Sequence, residues 1–124
     1  MTSLPEHLEY TAEHEWVARE GDVATVGITH VAADALGDLV FVQLPEIGTA
    51  VTAGEVCGEL ESTKTVSDLF APLTGEVVEI NETLSSTPET VNAEPYAAGW
   101  LFKVRTADTS GLLTAAEYEK VADA

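Results

Sequence analysis

Val56-Cys57-Gly58-Glu59-Leu60-Glu61-Ser62-Thr63-Lys64-Thr65-Val66-Ser67-Asp68 is the stretch from which the fold is read. Val56, Gly58 and Leu60 alternate with Cys57, Glu59 and Glu61, the period of a half-buried strand, and a second strand begins near Val66. The small residues Ser62, Thr63 and Thr65 between them place Lys64 at a hairpin tip. Small flanking side chains leave its ε-amine sterically open, and a tight turn fixes its position. On position alone, such a lysine reads most simply as a solvated edge residue.

Outward from this hairpin the same signals recur. Upstream, Trp16–Ala18 and Val23–Ile28 are rich in strand formers and flank Glu20-Gly21-Asp22, which predicts a further hairpin. A short helix over Thr29–Leu36 follows, capped by Thr29, with Val31, Ala32, Ala35 and Leu36 on one face and Gly37 at the left-handed stop. Leu39–Leu44 is β-rich, and Pro45 with Gly48 turns the chain before Val51. Downstream, Pro72 and Gly75 turn the chain into a strand at Glu76–Ile80. The polar segment Asn81–Gly99 reads as a surface wrap, and Trp100–Arg105 as another strand. Thr114 and Glu117 form a capping box for a helix to Ala122 whose packed side is Leu113, Tyr118, Val121 and Ala122. The expected class is mainly β, a barrel-sandwich hybrid of two small antiparallel sheets with peripheral short helices and a C-terminal helix.

Length suits one domain over residues 1–124, because a second core would have too little surface to bury. A hydrophobic content of 45% excludes a wholly disordered chain. Five Lys and Arg face twenty-two Asp and Glu, a net charge of −17 that repels phosphate backbones and anionic lipid, so neither nucleic acid nor membrane is an expected partner. The cations are Arg19, Lys64, Lys103, Arg105 and Lys120, which leaves Lys64 isolated in a long acidic stretch. Met1–Tyr10 lacks the basic start and apolar core of a secretory signal, and no apolar run approaches spanning length. A single cysteine, Cys57, fits a reducing compartment. The expected location is the cytoplasm, or the mitochondrial matrix for a processed eukaryotic chain.

Gly48, Val51 and Gly54 ahead of Glu61-Ser62-Thr63-Lys64, with Ala71-Pro72, Gly75 and Val77 behind it, resemble the biotinyl and lipoyl carrier domains. Biotin carriers usually flank their lysine with methionine. Thr63 and Thr65 stand there instead, which favours lipoyl. His14-Glu15-Trp16, Val26-Gly27-Ile28-Thr29, Leu36-Gly37-Asp38, Leu44-Pro45, Asn92, Pro95-Tyr96 and Gly99-Trp100 extend the match over nearly the whole chain. In this order they resemble the lipoyl-carrying H proteins of the glycine cleavage system.

That resemblance implies a non-catalytic carrier of glycine catabolism and one-carbon metabolism, with lipoate held as an amide on Lys64. It implies transfer of an aminomethyl group from a pyridoxal-phosphate glycine decarboxylase to a folate-dependent aminomethyltransferase. A dihydrolipoyl dehydrogenase then reoxidises the dithiol, and lipoate-attachment enzymes load the lysine. Glu15 and Asp68 match acidic positions that shelter the loaded arm, and both are expected to be partly exposed. Ala35 departs from the family, where histidine is frequent.

Beside this reading stand a lipoyl relay serving 2-oxo acid dehydrogenases, and a small acid–base enzyme built on His14, Glu15 and Asp68. The latter lacks a nucleophile and base constellation. His7, His14 and His30 have no close second ligand, so no metal site is expected and His14 reads as structural. Cys57 shares a strand face with Glu59 and Glu61, which would expose it partly, but it is assigned a packing role. Trp16, Tyr96 and Trp100 are read as packing rather than docking residues.

Overall fold

The computed structural model describes residues 5, 7–107 and 112–123, with the side chains of 122 and 123 outside that description. Its strands are β1 (Glu9–Tyr10), β2 (Glu15–Glu20), β3 (Val23–Ile28), β4 (Leu39–Gln43), β5 (Ala50–Val51), β6 (Val56–Ser62), β7 (Val66–Phe70), β8 (Gly75–Ile80) and β9 (Phe102–Arg105). Among the described residues, the helices α1 (His30–Leu36), α2 (Thr90–Ala93) and α3 (Ala115–Asp123) and a 3-10 turn at Glu82–Ser85 complete the elements.

Two antiparallel sheets result. One runs in the order β1-β2-β3-β9-β8-β5 and the other β4-β6-β7. The main core lies between them, with Val26, Ile28, Leu36, Leu60, Leu69, Val77 and Phe102 all buried. A second cluster gathers Leu8, Tyr10, Trp16 and Tyr118, where α3 covers the first strands. Gly27 pairs with Trp16 across β2 and β3, and a Cβ at Gly27 would collide with the indole, so that glycine makes room for the ring. The aromatic residues pack as expected. Trp16 is buried and its indole N–H donates to the carbonyl of Pro95 at 2.8 Å, while Tyr96 accepts from the backbone N–H of His30.

Three readings are corrected. The alternation assigned to β6 is broken by a register shift between Val56 and Gly58. The extra residue reverses the faces ahead of it: Val56 is exposed, and Cys57 packs toward the core rather than alongside Glu59 and Glu61. Its thiol is pushed up to about 12, first by burial and then by the charge of Glu15. Secondly, Asn81–Gly99 does more than wrap the surface. Leu84 and Val91 enter the main core, and the buried amide of Asn81 donates to the carbonyls of Ala98 and Trp100. Thirdly, Val121 of α3 is exposed, so it does not belong to the packed side; that of Ala122 lies outside the described residues.

Candidate functional site

Lys64 occupies the tip of the β6–β7 hairpin and is exposed. Ser62 builds the turn. Its N–H donates to the Thr65 carbonyl at 2.8 Å, and its hydroxyl accepts from the N–H groups of Lys64 and Thr65 at 3.2 and 3.1 Å. Among the described non-glycine residues only His14 has positive φ, so Thr63 and Lys64 are not in a primed turn, and the Ser62 hydroxyl supplies the closure. In the sequence Ser62 reads only as a small flank of the lysine, although serine at the start of a turn is also a recognisable signal for such a closure.

A second segment supports the tip. The Thr63 N–H donates to the Asp38 carbonyl at 3.1 Å, and the Lys64 stem lies over Gly37. A Cβ at Gly37 would stand 3.2 Å from Lys64 Cε, and φ there is 84°, so glycine serves both the helix stop and the lysine. Asn92 braces this link from α2: its amide donates to the Gly37 carbonyl at 2.8 Å and its oxygen accepts from the Leu39 N–H at 2.9 Å. Thr29 caps the other end of α1 by accepting from the Ala32 N–H.

A cleft of about 140 Å³ opens between α1, the start of β2 and the hairpin, lined among others by Glu15, Ile28, Ala35, Leu36, Leu60 and Asp68. The structure thus brings Glu15, Asp68 and Ala35 to one place. The two acids differ in setting. Asp68 is exposed, opposite Glu59 in the sheet. Glu15 is only 2% exposed, against the expectation of a partly exposed acid. Its carboxyl accepts from the Phe70 N–H at 2.9 Å and from the Thr11 hydroxyl at 3.2 Å. Burial outweighs these bonds and lifts its pKa to about 8, so in the bare chain it is predominantly neutral at pH 7.

His14 explains how Glu15 turns inward. It adopts φ 69°, and its carbonyl accepts from the Thr29 N–H at 3.0 Å. Its ring Nδ1 lies 2.6 Å from the Tyr118 hydroxyl, which is 2.8 Å from Thr29 Oγ1. His14 is therefore a structural joint between α3, α1 and β2.

The arrangement offers one exposed amine on a hydrogen-bonded tip beside a small, mostly apolar cleft with a buried acid. No described group contains three or more residues placed to hold a metal ion. The sequence model of the glycine cleavage H-protein family matches residues 8–124. This chain belongs to that family.

A glycine cleavage system H protein of Beutenbergia cavernae is 63% identical over 94% of this chain and 94% of its own length. One of Streptomyces coelicolor is 57% identical over 98% and 99%. The crystal structure of a glycine cleavage system H protein from Mycobacterium marinum superposes with a TM-score of 0.91 at 51% identity, covering 98% of this chain and 100% of that one. Members of the family are lipoyl carrier subunits rather than catalytic enzymes, and the chain takes that role in glycine cleavage. No described helix is long and apolar enough to cross a membrane.

Proposed function

We propose that residues 1–124 act as one carrier domain that holds lipoate as an amide on Lys64 and moves an aminomethyl group between two enzymes. The observation that carries this is the exposed Lys64 at a tip closed by Ser62 and underpinned by Gly37. The site suits such a group: the amine is exposed to solvent, and its stem lies over Gly37, one residue beyond Leu36, which lines the cleft. When bound, the dithiolane would supply both a sulfur for the one-carbon unit and a two-electron couple.

The chain's own residues would then fix the root and shelter the cargo. Lys64, being tethered, turns encounters with each partner's site into a local search. A cationic amine entering the cleft would meet Asp68 at the rim and Glu15 inside. Glu15, neutral when the cleft holds no charge, would ionise once a cation supplied the countercharge. Ala35 leaves this part of the wall small.

The partners proposed are a pyridoxal-phosphate glycine decarboxylase, a folate-dependent aminomethyltransferase, dihydrolipoyl dehydrogenase and the lipoate-attachment enzymes. The compartment proposed is the cytoplasm, supported by the lone cysteine and the bacterial relatives. Lys64→Arg tests the assignment. Guanidinium keeps the charge but does not form the amide, so glycine oxidation in the reconstituted system should cease with unchanged thermal stability. Turnover at the wild-type rate would refute it.

A further inference from the structure

The outer face of the β4–β6–β7 sheet carries an apolar row that the core does not use. Phe41, Glu61 and Val66 are cross-strand partners, and Phe41 and Val66 are 52% and 54% exposed. A register shift between Leu39 and Phe41 adds Val40, also half-exposed, at the same end of β4. The row lies immediately below the turn that presents Lys64, because Glu61 and Val66 form the last strand pair before Ser62 and Thr65.

Single exposed apolar side chains are ordinary. Here Val40 and Phe41 on β4 and Val66 on β7 flank Glu61 of the central strand, all three on the edge strands of one sheet, positions that solvent-facing sheets usually guard with charge. The neighbouring row is Gln43, Glu59 and Asp68, and Asp38 precedes β4, so the apolar residues sit among acids. Lys64 is the only Lys or Arg between Arg19 and Lys103. The complementary surface is an apolar socket bordered by Lys and Arg. A second copy of this chain would bring acid against acid.

The geometry points to this row as the surface by which the enzyme that acylates Lys64 recognises the bare chain, an inference that rests on Lys64 being the attachment residue. The chain has three lysines of identical side-chain chemistry, Lys64, Lys103 and Lys120, so selection of one must come from its surroundings. Enzymes that act later meet a chain already marked by its arm; the acylating enzyme has only protein surface to read. In its step, the deprotonated Nζ attacks an activated acyl carbon and the amide bond forms. The donor's leaving group departs with the electron pair of the broken bond, and the amine's surplus protons pass to solvent. For Nζ to reach that carbon, the sheet below the tip must lie against the enzyme.

The test uses the full-length unmodified chain with a purified lipoate ligase, lipoate and ATP. Initial rates are followed by intact mass for wild type, Phe41→Thr, Val66→Thr, the double variant and Ile47→Thr. Threonine supplies the β-branching a strand prefers, and Ile47 is a comparably exposed apolar residue in the turn after β4. The double variant should raise KM at least about tenfold with little change in kcat, and each single variant should carry part of that loss. Ile47→Thr should stay within about twofold. A wild-type kcat/KM for the double variant, or an equal loss for Ile47→Thr, would overturn the proposal. So would a wild-type dimer that the double variant dissolves, which would assign the row to self-association. Failure of the underlying Lys64 reading shows separately, as wild type left unacylated or acylated at another lysine.

Discussion

Glu15 concentrates the site's chemistry because its carboxyl is buried while retaining two hydrogen-bond donors. Its folded-state pKa of about 8 lies above the ordinary 4.5, so between those values the folded chain binds more protons than the unfolded one. Stability from the neutral acid is therefore complete below pH 4.5 and lost as pH rises through about 8. Urea unfolding of wild type should lose up to about 1.4 kcal/mol per pH unit across that window relative to Glu15→Gln. Gln keeps an acceptor for the Phe70 N–H, and parallel slopes would remove the argument. The same carboxyl would bear on the proposed cargo. Aminomethyl-loaded Glu15→Gln and Asp68→Asn proteins should release formaldehyde or ammonia several-fold faster than wild type in the absence of the aminomethyltransferase. Equal decay of all three would end the sheltering role while leaving the carrier assignment intact. Lys64 was legible as a tip residue because its neighbours are small and its flanks alternate. The burial of Glu15 was not, since nothing in His14-Glu15-Trp16 announces the positive φ of His14 that directs the acid inward.

Among the elements, the strand at Val23–Ile28 and the capping box of α3 follow their sequence signals closely: the Thr114 N–H donates to Glu117 and the Glu117 N–H to the Thr114 hydroxyl. β6 departs because a bulge is a one-residue insertion in the ladder, invisible to a period-two pattern until the partner strand is known. The segment between β8 and β9 departs for another reason. Its polar composition outweighs the isolated Leu84 and Val91, although each fills the core from a single helical turn. This segment also carries Asn92, which holds Gly37 and Leu39 in place beneath Lys64. Leu84→Ala should therefore cost about 2–5 kcal/mol in urea unfolding, as a core deletion does. A loss below about 0.5 kcal/mol would return the segment to the surface.

At the scale of the molecule, two sheets enclose one main core and leave the β6–β7 tip standing clear, beside a cleft and above an apolar row. A net charge of −17 favours attraction to basic surfaces, and under the proposed carrier role tethering would let turnover rest on modest affinities. The proposed carrier chemistry passes through one amine, that of Lys64. The most direct measurement is peptide-resolved mass spectrometry of the wild-type chain after incubation with lipoate, ATP and a lipoate ligase. The predicted result is one lipoyl amide per chain, located on Lys64, with Lys103 and Lys120 unmodified. A lipoyl group on either of those residues, or a Lys64 peptide that stays unmodified while the ligase acylates another H protein, would contradict it.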